Sequence, residues 1–369
     1  SFWVLAANII LFNSIKKSAT LTKNFSVQTK NYLNPIIIIL APILVSYAIF
    51  NSYEEKINPT NVVVVQPNID PYSEKFNGLT EMDQLQRLIR LSDSTAQVNT
   101  EFFVWPETAL QNNLNERTLE ENPLIQEARK FLEKYKNGNI VTGADAYTTY
   151  DKKETVTARN YSNGECCYDA FNAAFFIENN QTIQKYHKSK LVPGVEQMPY
   201  PKFFSILEPY ALKLGGTFGS LGSQTERAVF YTRSGIGVAP VICYESIYGE
   251  FVSEYVKNGA QLIAIVTNDG WWGNTAGYKQ HASMASLRAI ETRRSIARSA
   301  NTGTSLFVNQ RGEVLKSTEY WVQDSINENL NLNDEFTFYV EHGDYIAFTS
   351  SLIALLILTY TLLIKWLKR

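Results

Sequence analysis

Acidic residues are absent from both ends of this 369-residue chain, because all 36 of them lie between Glu54 and Asp344. The acid-free ends hold seven of the 34 basic residues, so the middle carries 27 bases against 36 acids, a net charge of −9. The whole chain has a formal charge of −2 and lacks the strong basic excess that nucleic-acid-binding proteins usually show. The composition argues against nucleic acid as a partner and indicates an acidic domain between two apolar ends.

Cysteine and histidine are scarce, with three residues of each. The histidines, at positions 187, 281 and 342, lack the spacing of metal ligands, so we predict no metal site. Cys166 and Cys167 are neighbours in a loop-like stretch, where we expect either a vicinal disulfide or two idle thiols rather than a metal site. Cys243 stands alone at the end of an apolar run.

Charge is also missing from two long apolar runs, residues 32–50 and residues 345–364. About 20 apolar residues cross a bilayer as a helix, so both runs predict transmembrane helices, with a buried core helix as the alternative. Residues 1–12 form a third apolar stretch, and the chain begins without Met. No charged region precedes that stretch, so we expect a piece of a longer membrane region rather than a cleaved signal peptide.

Basic residues near the two runs predict the topology. The segment 13–31 has four lysines and no acid, and the tail after residue 364 has three bases. Basic loops stay in the cytoplasm, which places the region between the spans on the outer face. We therefore predict transmembrane helices with a cytoplasmic loop over 1–51, a periplasmic domain over 52–344, and a C-terminal transmembrane helix with a basic tail over 345–369. The chain would then be a multi-pass membrane protein, and in a bacterium with two membranes the outer face of its inner membrane is the periplasm.

The middle region alternates strand and helix patterns. Strands are predicted at 61–66, 102–105, 140–143, 170–178, 182–186, 228–232, 236–243, 262–266, 306–309 and 314–315. Helices are predicted at 78–98, 123–136, 248–258 and 279–299. This mixed pattern indicates an α/β layered fold.

Three reactive residues each follow a predicted strand: Glu107, Lys188 and Cys243. The carboxyl ends of strands in α/β sheets converge on the crevice where ligands bind. A cysteine nucleophile needs a base for its proton, a carboxylate can serve as that base, and an ammonium group can stabilise an oxyanion. Taken singly, each residue has an ordinary explanation: an inert core thiol, a helix-capping carboxylate, or a solvated lysine.

The motifs around these residues occur in a distinctive order. VWPE ends at Glu107, YHKSKLVP contains Lys188 with Glu196 eight residues later, and ICYE contains Cys243. Together they resemble the Glu–Lys–Cys triad of the nitrilase superfamily. The segments VQPNI, TNDGWWG, QH, RAIE and ANTG are similar to its apolipoprotein N-acyltransferase branch. One departure is VPGVE before and including Glu196, where the family commonly reads VPFGE.

The resemblance implies a four-layer αββα nitrilase-like sandwich attached to transmembrane helices. It implies an enzyme that moves an acyl chain from a phospholipid, through a cysteine thioester, to the N-terminal amine of a diacylated bacterial apolipoprotein. Glu107 would be the general base, Cys243 the nucleophile and Lys188 the oxyanion stabiliser. Glu196 would hold Lys188, and two residues would shape the pocket, Tyr244 and Glu245. No organic cofactor and no metal are implied.

A lipid substrate also fits the residues themselves. Residues 201–221 are densely apolar, include Phe203 and Phe204, and contain glycines, as expected of a lid that dips into a membrane. Trp271 and Trp272 could line an acyl groove or lie at the interface. Packing over the edge of the sandwich is the alternative for both features. The arginines of the predicted helix 279–299 could meet lipid phosphates or form structural ion pairs.

Two other classes of protein remain open from the sequence. A membrane-tethered amidase or nitrile hydrolase would use the same triad with water as the acceptor. It would not need a lipid-sized groove, and the apolar segment 201–221 argues against it. An inactive membrane scaffold would be expected to lose at least one of Glu107, Lys188 and Cys243, and this chain retains all three.

Overall fold

The computed structural model describes residues 2–20, 32–70, 74, 78–161, 166–197 and 220–367. The chain divides into two compact units. The terminal unit comprises Ser1–Glu54 and His342–Arg369, and the central unit comprises Glu55–Glu341.

The described helices and strands are as follows. The helices are α1 (Phe2–Thr20), α2 (Leu33–Ser52), α3 (Glu81–Thr95), α4 (Pro123–Leu132), α5 (Gly249–Lys257), α6 (Ala276–Thr292), α7 (Phe338–His342) and α8 (Tyr345–Leu367). The first strands are β1 (Pro59–Gln66), β2 (Thr100–Val104), β3 (Leu110–Asn115), β4 (Asn139–Tyr150), β5 (Arg159–Asn160), β6 (Cys167–Glu178) and β7 (Gln184–His187). The remaining strands are β8 (Phe230–Tyr231), β9 (Gly237–Ile242), β10 (Leu262–Thr267), β11 (Ser295–Ala300), β12 (Leu306–Val308), β13 (Val314–Ser317) and β14 (Asp324–Asn331).

The described strands of the central unit form two sheets. The first sheet has the order β14-β1-β2-β4-β6-β5, with β3 beside β4 and β7 beside β6. The second sheet has the order β13-β12-β11-β10-β9-β8. The centre of each sheet is parallel, with β2 between β1 and β4, and β10 between β9 and β11. The carboxyl ends of the parallel strands within each sheet therefore lie at one edge.

Successive side chains of β1 point alternately into two different cores, which shows how the layers are stacked. Val62 and Val64 belong to the core shared with the second sheet, whereas Val63 and Val65 belong to the core shared with α3 and α4. Helices α5 and α6 pack on the second sheet through residues such as Phe251. A strand buried on both faces reads as a continuous run of branched apolar residues, which explains the four consecutive valines. The predicted helix–sheet–sheet–helix layering is confirmed.

In the terminal unit, α2 and α8 are long and apolar enough to cross a membrane, judged by length and composition. None of the side chains described in α8 is buried within the protein. Helix α1 contacts α2 through the Trp3 indole N–H, which donates to the Ile38 carbonyl at 3.0 Å. Exposed apolar helices of this length are typical of lipid-facing segments. Their insertion and their orientation remain predictions.

The helix predicted over 279–299 is wrong in its last third. Helix α6 ends at Thr292, Arg293 adopts a left-handed backbone with φ of 50°, and β11 begins at Ser295. The backbone of β11 pairs in parallel with β10. Alanine and arginine favour a helix locally, but pairing with β10 and burial of the whole strand override that preference.

Other differences from the predicted elements lie in polar or extended segments. Strands β3 and β14 were not predicted, because both contain several asparagines, which are infrequent in strands. Strand β14 pairs with β1 at the border of the first sheet. At the start of β6, Cys166 and Cys167 form a vicinal disulfide, which decides between the two predicted alternatives.

Candidate active site

Glu107 is held in a tight turn beyond the end of β2. The next residue, Thr108, has a left-handed backbone with φ of 48°. Gly143 of β4 packs directly under this turn, and a Cβ atom there would lie 2.5 Å from the Glu107 Cα. The Gly143 N–H also donates to the Pro106 carbonyl at 3.0 Å. Only glycine leaves room for this approach, which fixes where the Glu107 carboxylate enters the site.

Lys188 follows the last residue of β7 and bridges two carboxylates. Its Nζ lies 2.9 Å from Glu107 Oε1 and 2.9 Å from Glu196 Oε1, and the residue is 1% exposed. Burial alone would lower the pKa of Lys188, but the Glu107 and Glu196 carboxylates together hold its pKa well above the usual value. The lysine is therefore a permanent cation at neutral pH. The structure therefore brings Glu107 and Glu196 together around Lys188.

Asn172 on β6 joins the same cluster and was missed by the sequence analysis. Its Nδ2 donates to Glu107 Oε1 at 2.8 Å and to Glu196 Oε1 at 2.7 Å, and its backbone carbonyl accepts from the Lys188 N–H at 2.8 Å. The signal that could have found it is a buried asparagine in the apolar stretch AFNAAFF. One amide thus orients both carboxylates that hold the lysine.

Glu196 keeps its place although the preceding sequence departs from the family pattern. Gly194 adopts a left-handed backbone with φ of 83° in the turn that leads to Glu196. The Val192 N–H donates to Glu196 Oε2 at 2.8 Å, which leaves Oε1 for Lys188 and Asn172. The altered loop therefore preserves the contact between Glu196 and Lys188.

Cys243 is a free, partly buried thiol directly after β9. It starts the 3-10 turn Cys243–Ile247 with a left-handed φ of 48°. Burial and the nearby Glu107 carboxylate raise the pKa of the thiol to about 12, although Lys188 and a hydrogen bond from Thr267 act in the opposite direction. The thiol is therefore protonated at neutral pH and needs a base in order to react.

Glu245 is fully buried, and its carboxylate accepts hydrogen bonds from backbone N–H groups. Its Oε1 accepts from the Tyr186 hydroxyl at 2.6 Å and from the Ser189 N–H at 2.7 Å, while Oε2 accepts from the Ile242 N–H at 2.9 Å. Burial raises the pKa of Glu245 to about 7 against the lowering effect of these bonds. The carboxyl ties the segment after Lys188 to the end of β9, beside Cys243.

The arginines predicted as candidates for lipid phosphate are structural. Arg294 and Arg298 are each 1% exposed and donate to backbone carbonyls, Arg294 to Ala260 and Arg298 to Thr304. Arg288 pairs with Glu291 at 2.9 Å. Arg288 and Arg298 thus form the structural ion pairs of the predicted alternative, with Glu291 and Asp269, whereas Arg294 binds backbone carbonyls.

The remaining predicted residues lie around the cysteine or outside the described residues. Tyr244 contacts Tyr248 edge to face, with ring centroids 5.3 Å apart. Trp271 and Trp272 are 52% and 42% exposed in the short turn after β10. Phe203 and Phe204, with the rest of 198–219, lie outside the described residues. Within the described ranges, no group of three or more His, Cys, Asp or Glu side chains could hold a metal ion.

The arrangement is suited to covalent acyl transfer. A neutral thiol stands in the electrostatic field of a carboxylate and an ammonium group, which act on its pKa in opposite directions. A carboxylate can take the thiol proton, and a fixed ammonium can stabilise negative charge on an acyl oxygen.

Comparison with known proteins agrees with this geometry. A model of the carbon–nitrogen hydrolase family matches residues 61–334. The chain is 32% identical over 354 residues to an apolipoprotein N-acyltransferase of Chlorobaculum tepidum. The matched region covers 94% of this chain and 64% of the relative. The chain is 26% identical over 350 residues to an apolipoprotein N-acyltransferase of Geobacter metallireducens, covering 94% and 62% of the two chains. The chain therefore spans somewhat less than two thirds of the length of these relatives.

Solved structures support the fold. An amidase of the nitrilase superfamily from Nesterenkonia superposes with a TM-score of 0.51 at 13% identity, covering 80% of this chain and 99% of the amidase. A CN-hydrolase superfamily protein from Xanthomonas campestris superposes with a TM-score of 0.50 at 13% identity, covering 74% and 91%. The sandwich, the ordered motifs and the family match together confirm the predicted membership: the chain belongs to the carbon–nitrogen hydrolase family.

Proposed function

We propose that this chain carries the catalytic domain of an apolipoprotein N-acyltransferase. The donor is a membrane phospholipid, and the acceptor is the N-terminal amine of the diacylglyceryl-modified cysteine of a bacterial apolipoprotein. The observation that carries the proposal is the Glu107–Lys188–Glu196 cluster next to the free thiol of Cys243. The names of the curated relatives and the two apolar helices α2 and α8 support a lipid donor.

In the first half-reaction, Glu107 accepts the Cys243 proton as Sγ attacks the ester carbonyl carbon of the phospholipid. Lys188 stabilises the resulting oxyanion with its fixed positive charge. The tetrahedral intermediate collapses by breaking the carbon–oxygen bond to the glycerol. The departing alkoxide takes the proton from Glu107, and the products are a lysophospholipid and an acyl thioester on Cys243.

In the second half-reaction, the free amine of the apolipoprotein attacks the thioester carbonyl. Glu107 accepts a proton from that amine, and Lys188 again stabilises the oxyanion. The carbon–sulfur bond breaks, and the proton returns from Glu107 to the sulfur. An amide forms on the acceptor, and the enzyme is restored for the next phospholipid, as expected of a ping-pong mechanism.

A phospholipid donor requires the site to face a bilayer. The lysines of 13–31 and the basic C-terminal tail would remain in the cytoplasm, so α2 would lead outward and α8 would return. The central unit would then face the periplasm of the inner membrane. The exposed Trp271 and Trp272 would lie in the path of the acyl chain.

The test is the intact mass of the purified full-length membrane protein after incubation with phospholipid. We expect an acyl-sized adduct on Cys243 that disappears when a diacylated lipopeptide is added, with acylated lipopeptide as the product. Cys243→Ser should form no adduct, because a serine hydroxyl is far harder to deprotonate than a thiol. Cys166→Ala combined with Cys167→Ala is the control, and it should acylate normally.

Two results would contradict the proposal. Absence of an adduct under conditions in which Cys243 reacts with small acylating reagents would exclude a phospholipid donor. Release of free fatty acid at the same rate with and without lipopeptide would identify a hydrolase that uses water as the acceptor.

A further inference from the structure

The backbone carbonyl of Cys243 is held by two side chains. The Ser246 hydroxyl donates to it at 2.7 Å, and His281 Nε2 lies 3.1 Å from the same oxygen. Ser246 belongs to the turn that Cys243 begins, whereas His281 reaches in from α6. A carbonyl can only accept, so the histidine contact is a hydrogen bond in each state that carries a proton on Nε2.

His281 is itself fixed by buried charges. Its Nδ1 lies 3.0 Å from Asp269 Oδ1 and 3.2 Å from Arg298 Nη2, and Arg298 donates to Asp269 Oδ2 at 2.8 Å. All three residues are buried. Arg298 donates to Nδ1 in the neutral tautomer with a proton on Nε2, and Asp269 accepts from Nδ1–H in the imidazolium. In both states the Nε2 proton faces the Cys243 carbonyl oxygen and the Ser246 hydroxyl oxygen, each at 3.1 Å, and Ser246 itself donates to that carbonyl.

This network is costly, which argues that it has a purpose other than stability. Burying the Asp269–Arg298 pair takes two charges out of water, and apolar residues in their place would often stabilise a protein as well. The left-handed backbone of Cys243 is also unfavourable for a residue with a Cβ atom, so it must be imposed by its surroundings. The network holds the carbonyl of Cys243, the residue with the left-handed backbone.

Anchoring this carbonyl has a consequence for catalysis. In a trans peptide the C=O and N–H groups point in opposite directions, so fixing the Cys243 carbonyl also fixes the direction of the Tyr244 N–H. The first N–H groups of a helical turn have no acceptor within the turn. The Tyr244 N–H is therefore oriented on the side of the peptide away from His281.

We propose that His281, supported by Asp269 and Arg298, is a positioning residue for acyl transfer. It holds the Cys243–Tyr244 peptide so that Sγ meets the acyl carbonyl carbon while the Tyr244 N–H donates to the developing oxyanion together with Lys188. The inference rests on the proposed acyl transfer for its natural substrate. The positioning itself applies to any carbonyl compound that Cys243 attacks.

Two substitutions separate the contacts of His281. His281→Gln keeps a donor near the position of Nε2, whereas His281→Asn keeps a polar atom near Nδ1 and loses the contact with the Cys243 carbonyl. Each variant of the full-length protein is acylated with a p-nitrophenyl ester, whose p-nitrophenol burst reports attack on a carbonyl. Each is also alkylated with iodoacetamide, where the thiol displaces iodide and no oxyanion forms. His342→Asn, at an exposed position, is the matched control.

We expect His281→Asn to lower the burst rate by about 10- to 100-fold without changing the KM for the ester, because small misplacements of reacting groups cost that much. His281→Gln should retain most of the rate, and alkylation should change by less than about twofold in both variants. A wild-type burst rate in His281→Asn would overturn the inference. A parallel loss of burst, alkylation and melting temperature in both variants would also overturn it, because that pattern shows a structural role alone.

The ester assay separates this inference from the proposed function. A wild-type burst that depends on Cys243 and is lost in His281→Asn, in a protein that phospholipid does not acylate, would refute the lipid donor and support the positioning role. A wild-type protein without any burst that depends on Cys243 would refute both.

Discussion

On the first-sheet side of the candidate site, an ammonium group and two carboxylates bind one another, whereas on the second-sheet side Glu245 and His281 bind the backbone around Cys243. Glu107, Lys188 and Glu196 form a charge cluster that one asparagine amide orients. Across from it, Glu245 accepts from three backbone N–H groups, and His281 contacts the Cys243 carbonyl. The first side contains the groups that the proposed proton transfer and charge stabilisation need, and the second holds the Cys243 backbone in a left-handed conformation.

This difference predicts how substitutions on the two sides will fail. Changes on the first side alter charge and should reduce the chemical step while Cys243 stays in place. Changes on the second side alter geometry and should separate reactions that form an oxyanion from those that do not. The four predictions below test that division, beginning with the largest expected effect.

Glu107→Gln should stop acylation of Cys243. The amide has the shape of the carboxylate but cannot take the thiol proton, and burial keeps the thiol protonated at neutral pH. The measurement is the rate of adduct formation by intact mass, followed up to pH 10. Acylation at the wild-type rate at pH 7 would assign the base to another residue.

Lys188→Ala should slow acylation by ~10²–10³, the usual effect of removing one oxyanion-stabilising group. It should also destabilise the protein by about 3–5 kcal/mol, because the buried Glu107 carboxylate and the partly buried Glu196 carboxylate lose their counter-charge. Lys188→Arg should recover part of the stability but little of the rate, since a planar guanidinium does not replace a compact ammonium. Rapid-quench acylation and thermal unfolding measure the two effects separately. Full activity in Lys188→Arg would show that positive charge alone suffices.

Glu245 should make the protein less stable as the pH rises. Its pKa is raised to about 7 in the folded protein from a usual value of 4.5, so its stabilising contribution is complete below pH 4.5 and is lost as the pH rises through 7. The difference in free energy of unfolding between wild type and Glu245→Gln should change by on the order of 3 kcal/mol across this window. Thermal unfolding at pH 4.5 and pH 8 measures it, with the exposed Glu250→Gln as the control. A difference independent of pH would contradict the shift.

Asn172→Leu should lower the acylation rate by about 10-fold with little change in KM, because Glu107 and Glu196 each lose a donor. Asn172→Asp is the more informative variant, because it places a third carboxyl group beside those of Glu107 and Glu196. Like charges raise each other's pKa, so the acidic limb of the pH–rate profile should move upward. An unchanged profile in Asn172→Asp would show that the asparagine only fills space.

Much of the fold and the centre of the site could be predicted from local patterns. The valines of β1, the apolar run of β9 and the amphipathic segments of α3 and α4 have the periodicity of their elements. The positions of Glu107, Lys188 and Cys243 directly beyond strands predicted that they would meet. Their contacts join residues up to 81 positions apart, and the layout of the sheets brings them together.

Strand β11 and its arginine could not be predicted in the same way. Arg298 lies in a segment with a helical composition. Of its two partners, Asp269 lies just after the end of β10 and His281 lies in α6. Whether a buried arginine is paired depends on which chain segments surround it, and local propensity contains no such information. Asn172 was missed for the same reason, since its importance comes from two carboxylates 65 and 24 residues away.

The sequence by itself determined which side chains can react, where the acid-free ends lie, and that strands and helices alternate between them, because composition and periodicity are local properties. Only the tertiary structure decided that Lys188 lies between two carboxylates, that Asn172 donates to both, and that His281 contacts the carbonyl of Cys243. The physical reason is that burial makes polar groups depend on their partners: once water is excluded, each charge and each donor must be matched by a group that the fold brings to it.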